Sequence, residues 1–112
     1  ILLFQNNVTI AQQFHISYAG MGYYSIITVH SNKAFDVASA SLKSGANVQQ
    51  YRSNGSNAQL WKFIEAEDGS YYIKSKLGTV LSIEGDSLNN GANINVQNMR
   101  SAGTRQWKLK KI

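Results

Sequence analysis

The sequence predicts an all-β fold in which short strands repeat and close into one pseudo-threefold barrel. Three observations predict it: an internal repeat, apolar residues that alternate with polar ones, and turns rich in Gly, Ser and Asn between the alternating segments. A sustained helical period is absent. With 112 residues and no cysteine or proline, the chain is expected to form one domain that is stabilised by packing without disulfides.

The internal repeat is clearest in an eight-residue segment. Ser41–Val48 recurs 46 positions later as Ser87–Ile94, with the same Ser, Leu, Gly, Ala and Asn in place, and Trp61 recurs at that offset as Trp107. Phe14 lies 47 positions before Trp61. Three copies of one pattern are therefore present, and a fixed period of this length indicates an architecture built from equivalent units.

Alternating segments predict about four short strands in each full repeat. The middle repeat has them at Tyr24–Thr28, Ala34–Val37, Val48–Arg52 and Trp61–Ile64, and the last repeat echoes them from Tyr71, Val80, Ile94 and Trp107. Four short strands cannot bury their apolar face alone. The copies are therefore expected to close on one another around a common core.

The first repeat is expected to be incomplete. With Ile1 aligned over Val48, only its last two strands are present, which divides the chain into 1–22, 23–69 and 70–112. An open sheet edge invites pairing with another strand. We therefore expect preceding residues, a partner chain or a close contact near Ile1–Phe4 to close the barrel, unless the first lobe is reduced.

Each repeat ends in a related tripeptide, best kept in Gln59-Leu60-Trp61, weaker in Gln12-Gln13-Phe14 and altered in Arg105-Gln106-Trp107. The segment Ala34–Val37 adds a Leu-Asp-Val-like step. This repeated frame resembles that of the ricin-B-type β-trefoil lectins over nearly the whole chain. The resemblance implies a β-trefoil that binds carbohydrate without catalysis, with Phe14, Trp61 and Trp107 buried at equivalent places.

The resemblance also implies one sugar pocket, in the middle repeat. A hexose site needs a carboxylate or amides for the hydroxyls and an aromatic face for the apolar side of the ring. Asp36 matches the family's aspartate, and Gln49 and Tyr51 match its third-strand glutamine and aromatic. Asn57 or Gln59 would supply an amide. Gln59 has a second interpretation, as a structural hydrogen-bond clamp on nearby backbone.

Two departures from the family pattern bear on the amide contact of the pocket and on the number of sites. The residue before Gln59, usually asparagine, is Ala58, so Asn57 would have to reach from one position earlier. In the last repeat the equivalents of the aspartate, the glutamine and the aromatic are Ser82, Asn95 and Gln97. Because that lobe lacks both the carboxylate and the aromatic face, one competent site is predicted.

Enzymatic activity is not expected. His15 and His30 lie in ordinary strand contexts, and no nucleophile, metal-protease or phosphate-loop motif is present. Glu65, Glu67 and Asp68 crowd one predicted turn, whereas a glycosidase needs two carboxylates that face each other across a cleft. No cofactor and no metal site are predicted, although the domain could be attached to a catalytic one.

The charge of +5 and the isoelectric point near 9.6 permit acidic partners. The basic residues crowd the C-terminal end or are scattered, and no nucleic-acid motif accompanies them, so glycans such as galactose or N-acetylgalactosamine are the expected partners. Membrane insertion is not expected, since no apolar run approaches 20 residues. The expected location is extracellular or on a cell surface. The alternative function is a protein-interaction or assembly module with a vestigial sugar site, which would be indifferent to loss of Asp36.

Overall fold

A computed structural model describes residues 2–5, 8–9, 13–66, 69–84, 93–99 and 105–110, with the backbone alone for 2–5, 8–9 and 110. Ile1, Gln12, Glu67, Asp68 and the segment Ser87–Ala92, which carry sequence-based predictions, lie outside the described residues.

The described chain is all β, as predicted. Its strands are β1 (Leu2–Gln5), β2 (Val8–Thr9), β3 (Phe14–Gly20), β4 (Tyr23–Thr28), β5 (Ala34–Val37), β6 (Val48–Tyr51), β7 (Trp61–Glu65), β8 (Tyr71–Ser75), β9 (Val80–Ile83), β10 (Ile94–Gln97) and β11 (Lys108–Lys110). Two short 3-10 helices follow β5 and precede β7, at Ala38–Ala40 and Asn57–Gln59. In the described ranges, no helix is long and apolar enough to cross a membrane.

Three antiparallel pairings repeat around the barrel. Strand β3 pairs with β4, β7 with β8, and β11 with β1. The same registers recur, with Ile16 opposite Ile26 and Phe63 opposite Ile73. Strands β5 and β6 form a hairpin that extends from β4, and β9 and β10 form the corresponding hairpin from β8. This recurrence is the pseudo-threefold arrangement expected of a β-trefoil.

The two tryptophans occupy equivalent buried places, which confirms their predicted role. Both are 0% exposed. The indole Nε1 of Trp61 donates to the carbonyl of Phe35 (3.3 Å), and that of Trp107 donates to the carbonyl of Leu81 (3.0 Å). Phe14, 1% exposed, packs edge-on against Phe35 with ring centroids 5.0 Å apart. Each aromatic therefore fills the core, and each buried indole N–H has the acceptor it needs.

The strand at the start of the chain differs from the prediction. Alignment of Ile1 with Val48 made it a third strand, but β1 pairs with β11 and β2, just as β4 pairs with β3 and β5. It therefore holds the place of a first strand, and the alignment was wrong. The side-chain pattern of a short apolar run does not decide which repeat position the run occupies. The backbone of β1 can, however, form hydrogen bonds with the exposed edge of the last strand, β11, and this pairing decides its place.

Candidate functional site

The candidate site lies on the hairpin of β5 and β6. Asp36 stands directly opposite Gln49, and Ala34 stands opposite Tyr51. Because side chains alternate along a strand and cross-strand partners share a face, these four residues lie on one face of the hairpin. Phe35 points to the other face and packs in the core. The alternation of side chains along β5 that directs Phe35 into the core thus directs Asp36 to the opposite face, beside Gln49.

Asp36 is held by two glutamine amides. Gln49 Nε2 donates to its Oδ1 (3.2 Å), and Gln59 Nε2 donates to its Oδ2 (2.9 Å). The residue is only 6% exposed. A carboxylate has about four acceptor positions, so two donors fix its plane and leave acceptor capacity for a ligand. Buried and oriented in advance, the carboxylate is a strong acceptor that needs no rearrangement.

Gln59 links Asp36 to the nearby backbone, and it is itself 1% exposed. Its Nε2 also donates to the carbonyl of Arg52 (2.9 Å), and its Oε1 accepts from the backbone N–H of Asn54 (2.8 Å). Both amide hydrogens and the amide oxygen are therefore engaged within the protein. This geometry favours the clamp interpretation of Gln59: it orients Asp36 and fixes the turn before β7.

Tyr51 and Asn57 are the exposed members of the predicted set. Tyr51 is 47% exposed and lies diagonally across from Asp36, a separation of about 7–8 Å between Cα atoms in antiparallel sheets. Asn57 is exposed at the start of the second 3-10 helix. Among the described residues, no hydrogen bond joins its side chain to the rest of the set. Ala34 lies opposite Tyr51 and is fully buried.

The corresponding place in the last repeat is built differently. Ser82 stands opposite Asn95, and Gln97 lies where the middle repeat has its tyrosine. Gln97 Nε2 donates to the carbonyl of Ile83 (3.2 Å) and to Asn95 Oδ1 (3.3 Å), while its Oε1 accepts from Arg105. Arg105, 5% exposed, takes the place of the clamp glutamine. Among the residues described at this place, Asn95, Gln97 and Arg105 bond to one another, and none of the three is a carboxylate.

We expect Gln59→Leu to lower the free energy of unfolding by about 2–3 kcal/mol, because a group of similar size would leave the buried Asp36 carboxylate without one of its two donors. Urea denaturation followed by circular dichroism measures it. The matched control is Gln13→Leu, the same change at an exposed position, which should stay within about 0.5 kcal/mol of wild type. Equal effects of the two changes would contradict the clamp role.

A barrel in which three equivalent antiparallel pairings recur defines a β-trefoil domain. The chain belongs to the ricin-type β-trefoil lectin domain-like family, whose model matches residues 10–97. Membership of this family supports carbohydrate binding as the general function. A search among curated proteins found no match.

Solved structures show the same fold. The designed threefold-symmetric protein ThreeFoil is 32% identical, with a TM-score of 0.88 over 96% of this chain and 83% of its own. An exo-β-1,3-galactanase from Clostridium thermocellum is 33% identical, with a TM-score of 0.85 over 89% of this chain but 22% of its own. A lectin from Polyporus squamosus, in complex with Neu5Acα2-6Galβ1-4GlcNAc, is 23% identical, with a TM-score of 0.71 over 85% of this chain and 34% of its own.

Proposed function

We propose that this domain binds a galactose-type sugar without catalysis, through a shallow pocket in its middle repeat. The observation that carries the proposal is the Asp36 carboxylate, which is buried, held by two glutamine amides and placed on the same face as exposed Tyr51. Asp36 accepts two sugar hydroxyls, Tyr51 covers the apolar face of the ring, and Gln49 and Asn57 close the sides.

Two further points support this choice of ligand and role. The similar galactanase is named for action on a β-1,3-galactan, and this chain matches 22% of its length, as a targeting module of a larger protein would. One small pocket gives weak affinity, because a sugar gives up good contacts with water on binding, and tethering to a second domain or site compensates for it. The proposed location is extracellular or on a cell surface, where such glycans are exposed.

The test is an NMR titration of the ¹⁵N-labelled domain with galactose, N-acetylgalactosamine and lactose. We expect saturable amide shifts grouped around Asp36, Gln49 and Tyr51. Shifts grouped around Ser82 and Gln97 would place the site in the wrong lobe. No shift with any of the three sugars would contradict the galactose assignment and favour the protein-interaction alternative.

We expect Tyr51→Ala to weaken the binding of these sugars by roughly five- to thirtyfold, since the variant loses about 1–2 kcal/mol of apolar contact with the ring. The same titration measures it. Tyr18→Ala removes another exposed tyrosine, 63% exposed and on β3, and should leave the affinity unchanged. Equal losses from the two variants would show that Tyr51 has no specific contact with the sugar.

A further inference from the structure

A second concave site lies on the hairpin of β7 and β8, and its lining shares no residue with the Asp36 pocket. It is a cavity of about 310 Å³ whose lining includes Tyr23, Lys62, Ile64, Lys74 and Lys76. Lys62 stands directly opposite Lys74 in the sheet. Among the described residues that line the cavity there is no carboxylate. Three positive side chains therefore converge on one opening.

The ring of Tyr23 contacts the ammonium groups of two of these lysines. The Nζ of Lys62 lies 4.9 Å from the centre of its ring, and the Nζ of Lys76 lies 5.1 Å from it. A cation over an aromatic face is attracted by the ring quadrupole, so the ring holds both ammonium groups beside the cavity. Each ammonium carries three donors and no acceptor. The lysine donors of this cavity are therefore complementary to a group with several acceptor oxygens and negative charge.

The arrangement of these lysines places like charges close together. Like charges directly opposite each other on antiparallel strands destabilise a sheet, and Lys62 and Lys74 are such a pair. Lys76 adds a third charge at the same opening. An anion in the cavity would remove this repulsion by pairing with all three ammonium groups.

We propose that this cavity binds the anionic group of an acidic saccharide, a sulfate ester or a carboxylate carried on a sugar ring. The proposal rests on the proposed function only in taking the ligand to be a saccharide. The volume lies at the lower end of small-ligand sites, which suits one sugar unit. Ile64 supplies an apolar wall for the ring. A single-stranded nucleic acid needs instead an extended basic groove with aromatic faces free for stacking, and here the Tyr23 ring faces lysines.

The experiment is an NMR titration with galactose 6-sulfate, glucuronic acid, galactose, inorganic sulfate and a short single-stranded oligonucleotide, compared between wild type and two double variants. K62Q/K74Q removes two charges at the cavity, and K33Q/K43Q removes two exposed charges elsewhere. We expect K62Q/K74Q to weaken binding of the two acidic sugars about tenfold or more, and K33Q/K43Q to change it less than about twofold. Rising salt should weaken the wild-type binding.

The outcomes separate this site from the Asp36 pocket. With Asp36→Asn, the amide shifts around Lys62 and Lys74 on addition of galactose 6-sulfate should persist, while those from galactose disappear if the proposed function holds. Equal weakening by both double variants would overturn the proposal in favour of diffuse attraction. Inorganic sulfate as strong as the acidic sugars, or an oligonucleotide stronger than them, would also overturn it. K62Q/K74Q should melt within about 2 °C of wild type, because it removes a repulsive pair and also the contact between Lys62 and Tyr23, two effects of opposite sign. A clear drop would assign these lysines a structural role instead.

Discussion

Replacing Trp61 with alanine is expected to lower the free energy of unfolding by about 3–5 kcal/mol, a large part of the stability of a domain this size. The indole is 0% exposed, and its N–H bonds to the carbonyl of Phe35. Alanine would leave a cavity in the core and an unpaired buried carbonyl. Trp107→Ala should cost about as much, because Trp107 has the same burial and the equivalent bond to Leu81.

Urea denaturation followed by far-ultraviolet circular dichroism measures both losses. Leu42→Ala is the control, since Leu42 is a large apolar residue that is 69% exposed, and its loss should change stability by about 0.5 kcal/mol or less. Trp61→Phe should fall between the two, because it keeps much of the apolar volume and loses the hydrogen bond. A Trp61→Ala variant as stable as the Leu42→Ala variant would contradict the repeat-based assignment of the core.

The fold could be predicted because one pattern recurs three times. Repeats that share one core place their aromatic residues in equivalent environments. The regular offsets of Phe14, Trp61 and Trp107 along the sequence therefore predict that all three are buried in that core. The start of the chain has no such support. In Leu2–Gln5 an apolar run fits several registers equally well, and its place was decided by backbone pairing with β11, which side-chain pattern does not reveal.

The residues of the candidate site could be predicted from the sequence, but the hydrogen bonds that join them could not. The resemblance implied that Asp36, Gln49 and Tyr51 form one set, and the register of the hairpin places them on one face. The sequence did not decide whether Gln59 or Asn57 supplies an amide to the sugar, because the answer depends on which of the two amides is buried. Gln59 is buried against Asp36 and the turn backbone, whereas Asn57 is exposed two residues earlier.

The lysine cavity was not predictable from the sequence. Lys62 and Lys74 are separated by a turn and count as scattered charges along the chain. They meet only because the register of β7 and β8 sets them opposite each other, and Tyr23 of β4 lines the same cavity and contacts Lys62. A one-residue change of register would send the two lysines to opposite faces, and single-sequence patterns do not fix register at that precision.

Asp36→Asn is the sharpest change at the proposed sugar pocket, because it removes the charge and keeps the shape. Gln59 cannot turn its amide over, since its oxygen accepts from Asn54 and its nitrogen donates to Arg52. The new amide must therefore present its oxygen to Gln59 and its nitrogen to Gln49, and the more exposed Gln49 can turn over to accept. The variant should fold, with a loss of stability of about 1–2 kcal/mol.

Its sugar binding, in contrast, should fall below detection. Hydrogen bonds to a charged acceptor are worth about 1.5–3 kcal/mol each, so losing the charge toward two hydroxyls weakens a weak ligand by more than about tenfold. Titration of Asp36→Asn with the sugar that shifts the wild type measures this, beside Ser82→Ala, the matched position of the last repeat, where no loss is expected. Asp36→Asn that folds and binds with wild-type affinity would show that the sugar does not contact this carboxylate, and would leave the fold assignment intact.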